Sequence, residues 1–393
     1  MKSRIAHSYC LNALVAASVV FILPAAARAA MYNFVLIADN TGPLNSFNQQ
    51  PSINTAGTVA FRASFDAGGS GIFTGSGGAL TTIADTNALT FSSFGGGGSI
   101  NSAGTVAFNA SLNAGGSGIF TGSGGATTTI ADSNSPTFFS FGISPSINSA
   151  GTVAFRGNLD AGGRGIATGS GGPVTILYNS NDPTFSDFRD PSINGSGIVA
   201  FRGNLDAGGS GIFTGSGGPT TTIADTNGLT FSSFINDPSI NSSGTVGFGA
   251  DLDAGGSGIF TGSGGPTTTI ADESSFDEGF DYYSINSGGV MAFVGFYSGE
   301  YGIFTGPDSV ADKVIATGDL LAGSTTTNVY IYEEGLNDSG QIAFYAVLAD
   351  GRRGVFRADP VPLPEPSSVT LFAIGIGVLL VAARRRLKVV SPT

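Results

Sequence analysis

The chain is organised around the stretch NTAGTVAF at residues 54–61, because variants of it return six more times. Each copy has an Asn at its first position, a Gly three residues on and a Phe seven residues on. The later copies start at Asn101, Asn148, Asn194, Asn241, Asn286 and Asn337. These starts lie 45 to 51 residues apart, a period that indicates a repeat architecture.

Each repeat contains the pattern of several short antiparallel strands. In the fourth repeat, residues 198–205 read as a strand, and the turn sequence DAGG at 206–209 leads into a second strand at 211–214. A third strand is predicted at 220–225 and a fourth at 229–234, rich in Thr, Ile and Phe. Four such strands in one repeat fit one blade of a β-propeller.

The Asn-x-x-Gly at the start of each copy is typical of a tight turn. An Asn side chain hydrogen-bonds the backbone that follows it, and a Gly accepts a positive φ. We interpret both residues as structural.

A count of the strand types predicts how the array closes. The strand that ends in Phe and the Gly-Ile-Phe strand each occur seven times, but after the seventh pair the chain runs into Pro360 with no Ile-Ala-Asp strand. The missing copy lies at the other end, where NFVLIADN at 33–40 matches the TTIADTN of 221–227. We therefore predict an all-β, seven-bladed propeller whose N-terminal strand completes the last blade; the alternative is an open β-solenoid.

The N-terminal residues 1–30 have the three parts of a secretory signal peptide. A positively charged start precedes an apolar run at 11–23, and Ala-Arg-Ala at 27–29 matches a small-residue cleavage site. This segment also contains the single histidine, His7, and the single cysteine, Cys10. The exported protein is thus predicted to have neither residue, which excludes a disulfide framework.

The charge balance of the remaining chain argues against nucleic acid as a partner. Residues 31–363 contain 9 Lys plus Arg and 27 Asp plus Glu, a balance of −18, and the basic residues are scattered. Binding to phosphates needs clustered positive charge.

The C-terminal part differs from the repeat domain, which we place at 31–358. A Pro-rich linker at 359–366 leads into an uncharged stretch at 367–383, just long enough to be a transmembrane helix, and 384–393 form a basic tail. The arginines of this tail should stay cytoplasmic, so that the repeat domain lies outside the inner membrane.

These features together resemble a known sorting signal. The Pro-Glu-Pro motif at the end of the linker, the apolar span and the Arg cluster together look like the PEP-CTERM signal of Gram-negative bacteria. Its matching residues here are Pro364, Glu365, Pro366, Arg384, Arg385 and Arg386. The resemblance implies processing near the motif by an exosortase, a membrane cysteine protease, and delivery to the cell envelope or the extracellular matrix. The repeats likewise resemble the NxxGxxAF tandem repeats of surface proteins, a family without an established activity.

The sequence gives little support for an enzyme, and it predicts no cofactor. Without His or Cys, the exported chain has no Ser-His-Asp or Cys-His arrangement. Paired carboxylates are sufficient for glycoside hydrolysis. However, the acid of the DAGG turns, such as Asp66, is replaced by Asn113 in one repeat and is interpreted as a turn residue.

Two weaker features are candidates for binding. The first is an acidic loop whose oxygens are of the kind that Ca²⁺ prefers, consisting of Asp272, Glu273, Asp277, Glu278 and Asp281. The second is a group of tyrosines in the diverged repeats, suited to stacking on a sugar or contacting a protein, consisting of Tyr282, Tyr283, Tyr297, Tyr301, Tyr330 and Tyr332. A solvated loop and ordinary blade packing are the alternatives.

Two classes of function follow. The first is a non-catalytic surface or matrix protein that acts in adhesion or scaffolding, with exopolysaccharide or other surface proteins as partners. The second is a carbohydrate-binding or carbohydrate-active propeller that uses the Tyr-rich repeats.

Overall fold

The structure, a computed structural model, describes residues 31–362. These residues form seven small antiparallel sheets arranged as the blades of a β-propeller. One short 3-10 helix, Thr86–Ala88, is the one helical element among the described residues. The predicted seven-bladed propeller is therefore confirmed, and the alternative β-solenoid is wrong.

The first four blades share one plan, in which the strand nearest the axis is split in two. Blade 1 contains β2 (Leu44–Phe47), β3 (Ser52–Ile53), β4 (Val59–Phe65), β5 (Ser70–Gly75) and β6 (Thr81–Asp85). Blade 2 contains β7 (Phe91–Phe94), β8 (Ser99–Ile100), β9 (Val106–Leu112), β10 (Ser117–Gly122) and β11 (Thr128–Asp132). Blade 3 contains β12 (Phe138–Phe141), β13 (Ser146–Ile147), β14 (Val153–Leu159), β15 (Arg164–Gly169) and β16 (Thr175–Asn179). Blade 4 contains β17 (Phe185–Phe188), β18 (Ser192–Ile193), β19 (Val199–Leu205), β20 (Ser210–Gly215) and β21 (Thr221–Asp225).

The last three blades vary this plan. Blade 5 contains β22 (Phe231–Ile240), β23 (Val246–Leu252), β24 (Ser257–Gly262) and β25 (Thr268–Asp272). Blade 6 contains β26 (Glu278–Ile285), β27 (Met291–Tyr297), β28 (Glu300–Phe304) and β29 (Lys313–Ala316). Blade 7 contains β30 (Leu320–Leu321), β31 (Ser324–Tyr330), β32 (Ile342–Leu348) and β33 (Arg353–Pro360), and it is completed by β1 (Tyr32–Asp39).

The N-terminal strand closes the ring, as the strand count predicts. β1 pairs antiparallel with β33, from Tyr32 opposite Pro360 to Asp39 opposite Gly354. Closure by strands from both chain ends removes the open edge that a stack of blades would leave. Because β33 continues to Pro360, the first two residues of the predicted linker pair with β1 instead.

One predicted strand lies in a different blade from the unit in which we placed it. The fourth strand of the repeat, at 229–234, corresponds to the start of β22, and it pairs with β23 of the next blade. The polar residues between β21 and β22 carry the chain from the outer edge of one blade to the axis of the next. A blade is therefore offset from the sequence repeat by one strand.

The hydrophobic cores lie between adjacent blades and are filled by phenylalanines. In blade 2, the ring centroids of contacting Phe91, Phe94, Phe108 and Phe120 lie 5.0 to 6.0 Å apart. The same cluster includes Ile72 of blade 1. Burial of one such side chain contributes about 1.5 to 3 kcal/mol to folding. This packing explains why a chain with so much glycine has a defined fold.

The Asn-x-x-Gly segments form the predicted turns. Asn54 Oδ1 accepts hydrogen bonds from the N–H groups of Ala56 and Thr58, at 3.1 and 3.0 Å. Gly57 has a φ of +78° and donates its N–H to the carbonyl oxygen of Asn54, at 3.0 Å. The interpretation of both residues as structural is consistent with these contacts.

The same asparagines also connect the blades. Each Asn donates from Nδ2 to the backbone carbonyl oxygen of the corresponding Asn in the next blade, and Asn337 donates to Asn54 at 2.9 Å. The other six bonds of this series start from Asn54, Asn101, Asn148, Asn194, Asn241 and Asn286. The result is a closed ring of seven buried hydrogen bonds, which we call the asparagine ring.

Candidate functional site at the propeller axis

The innermost strands place a ring of serines beside the asparagine ring. In most Ser-Ile-Asn segments, the serine Oγ accepts the backbone N–H of the residue at the isoleucine position of the following blade, whereas Ser52 donates to the Gly98 carbonyl oxygen at 2.8 Å. Ser99 accepts from Ile147 at 3.0 Å, and Ser146 accepts from Ile193 at 3.1 Å. Segments from several blades therefore converge on one axis, where short-range contacts are possible between residues far apart in sequence.

Blade 7 departs from this pattern and fills the axis. Where four of the other six repeats have Pro-Ser-Ile-Asn, it has Glu334-Gly335-Leu336-Asn337, preceded by two further polar residues. We call residues 332–334 the axial plug.

The axial plug contacts blades on opposite sides of the ring. Ser146 of blade 3 donates to Glu334 Oε1 at 2.6 Å, and Ile53 of blade 1 donates its N–H to the Glu334 carbonyl oxygen at 3.0 Å. Ser239 of blade 5 donates to the Glu333 carbonyl oxygen at 2.8 Å. These bonds hold the plug in a single position across the channel.

Little space remains at the axis. The cavity there has a volume of about 30 Å³ and is lined by residues of blades 1, 2, 3, 4 and 7. A water molecule needs about 10 to 15 Å³ by the same kind of measure, so the cavity is suited to a few waters at most.

Acidic side chains cluster around the plug. The Asp190 carboxylate forms an ion pair with Arg156, with 2.8 Å between Nε and Oδ1. The pKa of Asp237 is raised to about 7, mainly because the carboxyl is buried and also because the Asp190 carboxylate lies nearby. Burial and the neighbouring Asp237 raise the pKa of Glu333 well above its ordinary range, and burial also raises the pKa of Glu334. The axis therefore contains carboxyl groups that retain protons at a pH where exposed carboxyls have lost them.

The axial acids were not predicted from the sequence. The signal that marks them is the pair Glu333-Glu334, which stands directly before Gly335-Leu336. At the position of Glu334 the other repeats have Pro, Gly or Tyr, and at the position of Glu333 two of them also have an acid. Asp190 and Asp237 occupy one repeat position in blades 4 and 5, two residues before the Ser-Ile pair.

Two of the six predicted tyrosines lie at this axis. Tyr282 and Tyr332 pack against each other with ring centroids 5.4 Å apart, and the Tyr332 hydroxyl lies 2.9 Å from Ser144 Oγ. Burial raises the pKa of both tyrosines. Tyr283, the next residue, is fully buried in the core and donates its hydroxyl to the Ile235 carbonyl oxygen at 2.6 Å.

The other three tyrosines lie elsewhere. Tyr330 packs against Tyr345 of the same blade, at 6.1 Å between centroids. Tyr297 and Tyr301 lie on the β27–β28 hairpin of blade 6 and are 37% and 49% exposed. The structure therefore does not bring the six tyrosines together as one surface.

The predicted acidic loop has local structural contacts. Glu273 Oε1 accepts the N–H and the hydroxyl of Ser257, at 2.8 and 3.0 Å, in the place that Thr226 occupies in blade 4. Hydrogen bonds from the Ser274 side chain and backbone lower the pKa of Asp272.

Two further acids of this loop contact different neighbours. Asp277 accepts from the Ser298 N–H at 2.5 Å, and Asp281 accepts from Asn236 Nδ2 at 2.6 Å. Among the side chains that the structure describes, to which that of Glu278 does not belong, no three from His, Cys, Asp or Glu are grouped as ligands for a metal ion. The calcium site predicted at Asp272, Glu273, Asp277, Glu278 and Asp281 stays a prediction.

The fold and the axis define the class of this protein as a closed seven-bladed β-propeller whose channel is filled by its own last blade. Within that class, the chain belongs to DUF7453, a family of unknown function, whose sequence profile matches residues 36–225, 163–333 and 320–370. A PEP-CTERM protein-sorting motif matches residues 362–386. This motif implies an exported, surface-sorted protein that is processed by an exosortase.

The similar solved structures share the fold with this chain at low sequence identity, so they support the fold alone. No curated protein matches the chain. An oligogalacturonate lyase solved with manganese has a TM-score of 0.53 and 9% identity, over 86% of this chain and 97% of the lyase. The corresponding lyase from Vibrio parahaemolyticus has a TM-score of 0.52 and 11% identity, over 84% and 97%. An acylaminoacyl peptidase from Pyrococcus horikoshii has a TM-score of 0.52 and 10% identity, over 85% of this chain and 55% of the peptidase.

The predicted terminal segments lie outside the described residues. They are the signal peptide at 1–30, the sorting residues Pro364 to Pro366, the apolar span at 367–383 and the arginines 384–386. From residue 31 to 362, no helix is long and apolar enough to cross a membrane.

Proposed function

We propose that this protein is a non-catalytic component of the cell surface or extracellular matrix that acts in adhesion or scaffolding. The observation that carries the proposal is the filled axis, because an axial cavity of about 30 Å³ has no room for a sugar or peptide substrate. The larger depressions among the described residues are open grooves between blades. Open grooves are suited to recognition of an extended partner.

The proposal includes a route to the surface. After export, the span at 367–383 holds the chain in the inner membrane with the propeller outside, and an exosortase then releases it to the envelope or the matrix. The sorting motif supports this route. We also propose that the repeats are of the NxxGxxAF type found on surface proteins, since all seven copies keep the Asn, Gly and Phe of that motif.

The test is a comparison of three strains of the native host. The first lacks the gene, the second carries the complete gene, and the third carries a chain that ends at residue 362 and so lacks the sorting motif. We expect cell attachment to the matrix to fall in the first strain, to recover in the second and to stay low in the third. Unchanged attachment in the first strain would contradict the proposal.

A hydrolysis assay tests the absence of catalysis. The purified protein is incubated with the host's exopolysaccharide, and the chain length of the polymer is followed by size-exclusion chromatography. We expect no shortening, whereas depolymerisation would identify the protein as an enzyme.

A second candidate function is carbohydrate recognition by the Tyr-rich repeats. The observation that favours it is the exposure of Tyr297 and Tyr301 on one hairpin, at 37% and 49%. An exposed aromatic ring with a polar tip can stack on a sugar and hydrogen-bond to it. Glycan binding that is lost in Tyr301→Ser, with unchanged thermal unfolding, would support this candidate.

A further inference from the structure

The repeats are similar enough that a residue which departs from its equivalents stands out. In blade 3, Ala167 replaces the usual Phe and Tyr178 replaces the usual Ala of the neighbouring strand. Both residues lie inside cores: Ala167 is buried in the core between blades 2 and 3, and the Tyr178 ring packs 4.9 Å from that of Phe201 in the core between blades 3 and 4. Departures of this kind are part of the packing between blades.

Three other departures have no such explanation. Phe139 stands where the other four of the first five blades have Ser or Asn, and it is 58% exposed. Arg164 and Asp187 both stand where the corresponding positions have Ser. The equivalent residues are Asn45, Ser92, Ser186 and Ser232 for Phe139, Ser70, Ser117, Ser210 and Ser257 for Arg164, and Ser46, Ser93, Ser140 and Ser233 for Asp187.

The fold brings these three residues into one groove between blades 3 and 4. Phe139 lies on β12, Arg164 begins β15, and Asp187 lies on β17 of the next blade. All three line a groove of about 560 Å³ whose other walls are glycines, serines and an Asn. Three unusual residues from two blades therefore share one open surface.

The charged pair in the groove is held in place and faces solvent. Arg164 Nη1 and Asp187 Oδ1 are 2.5 Å apart, and their side chains are 43% and 35% exposed. The Arg164 backbone is fixed by its N–H bond to Ser180 Oγ at 2.8 Å, and Asp187 Oδ1 also accepts the N–H of Phe188 at 2.7 Å. An exposed ion pair contributes only about 0 to 1 kcal/mol to stability. A gain in stability therefore does not explain why this pair is present.

We propose that this groove binds a neutral pyranose unit of a polysaccharide. The flat apolar face of Phe139 packs against the C–H face of the sugar ring. Arg164 supplies only donors and Asp187 only acceptors, and vicinal hydroxyls, each both donor and acceptor, complement such a pair. The ion pair has no net charge, which favours a neutral sugar over a uronate.

A protein partner fits the groove less well. Protein interfaces depend on several apolar anchors in a desolvated centre. This groove offers a single ring surrounded by polar residues and glycine. The inference rests on the proposed surface location, because it is there that the protein meets polysaccharide.

The experiment uses the protein purified from the native host after export, with detergent if the tail remains. Its mobility is measured in native gels that contain glucomannan, galactomannan or dextran, with alginate as the charged comparison. We expect retardation by at least one neutral polysaccharide. No retardation by any of the three would overturn the inference.

Three variants each restore the residue of the sister blades, so that the fold is preserved: Phe139→Ser, Arg164→Ser and Asp187→Ser. We expect Phe139→Ser to weaken binding about tenfold or more, and each of the others to weaken it several-fold. The matched control is Leu229→Ser, which removes a 96% exposed apolar side chain away from the groove and should leave binding unchanged. Equal effects of Phe139→Ser and Leu229→Ser would overturn the inference.

The same three residues can also be tested by introducing them between two other blades, which leaves the original groove unchanged. The equivalent positions between blades 1 and 2 are Asn45, Ser70 and Ser93. The triple change Asn45→Phe, Ser70→Arg and Ser93→Asp should create a second site and double the stoichiometry in calorimetry with an oligosaccharide of the bound polymer. Retardation by alginate alone, abolished by Arg164→Ser and unaffected by Phe139→Ser, would instead indicate an acidic ligand and contradict the proposal.

The outcome can be separated from that of the proposed function. A protein that reaches the surface and supports attachment, but binds no glycan, contradicts this inference alone. A protein that binds neutral glycan in the gel, but leaves attachment unchanged when deleted, contradicts the proposed function alone.

Discussion

At the scale of single residues, six of the seven repeat asparagines accept two backbone N–H groups and also donate to the next blade, as Asn194 does. The Asn194 side chain is 4% exposed, accepts the N–H groups of Ser196 and Ile198, and donates to the Asn241 carbonyl oxygen. A buried donor or acceptor left without a partner costs about 1 to 3 kcal/mol. The asparagine ring is therefore a principal source of cohesion between blades.

We predict that Asn194→Ala lowers the free energy of unfolding by about 2 to 4 kcal/mol, because two partly buried N–H groups and one buried carbonyl lose their partner. Urea denaturation measures the change. The control is Asn204→Ala, which alters an exposed Asn in the same blade and should change stability by about 0.5 kcal/mol or less. Similar values for both variants would show that the ring contributes little.

The axial acids predict an unusual dependence of stability on pH. The pKa of Asp237 is about 7 in the folded protein, raised by burial and by Asp190, with Arg189, Arg156 and Arg202 opposing. In the unfolded chain an Asp has a pKa of about 3.9. Between these values the folded state binds more protons at Asp237 than the unfolded state does. The stability that this carboxyl contributes is therefore fully present below about pH 4 and is lost as the pH rises through about 7.

We predict that Asp237→Asn removes much of this decline and makes the protein more stable than the wild type at pH 8. The measurement is the urea midpoint at pH 5, 6, 7 and 8. The control is Asp66→Asn, a change to the residue that Asn113 already provides in the equivalent turn. Wild-type stability that increases from pH 5 to pH 8 would contradict the argument, since the sign would then be reversed.

At this scale the sequence predicts local roles better than contacts between blades. The positive φ of Gly57 and the turn made by Asn54 follow from residue chemistry alone. The bond from Asn54 to Asn101 does not, because it depends on how two blades sit side by side, and the same limit applies to Glu333 and Asp237.

At the scale of elements, closure depends on one strand with two different faces. On β1, Ile37 is 5% exposed and packs with the core that joins blades 7 and 1, whereas the neighbouring Leu36 is 39% exposed. The two adjacent positions differ in burial, so they form a matched pair for substitution.

We predict that Ile37→Asp destabilises the propeller by about 4 kcal/mol or more, because it buries a charge without a partner. Leu36→Asp should cost about 0.5 kcal/mol, as expected for an exposed edge position. Thermal unfolding followed by circular dichroism compares the variants, and light scattering reports association through the edge of β33. Equal melting temperatures for Ile37→Asp and the wild type would show that the ring does not need β1.

The elements could be predicted because their signals are local. Alternating apolar residues, DAGG turns and the count of strand types together gave the blades and the closing role of β1. The place of the strand at 229–234 was not predictable in this way, since its partner β23 lies beyond the next Asn-x-x-Gly turn. Which strands pair across such a loop depends on how the blades are arranged in the ring. The repeat period alone does not determine at which strand a blade begins.

At the scale of the whole molecule, the propeller and the sorting motif occupy separate parts of the chain. The ring closes within residues 31–362, and its last strand ends at Pro360, two residues before the matched motif begins. Processing of the tail therefore need not disturb any strand pairing.

We predict that protein recovered from the envelope and the medium of the native host has lost the residues beyond the neighbourhood of Pro366. Intact-mass analysis measures where the chain ends. Replacement of Glu365 and Pro366 by Ala should trap the uncleaved form in the membrane fraction, because the motif is what the exosortase recognises. Val361→Ala, outside the matched motif, is the control and should be processed as the wild type is. If arginines 384–386 remain attached in every fraction, the exosortase route is wrong, and the tail is a permanent membrane anchor.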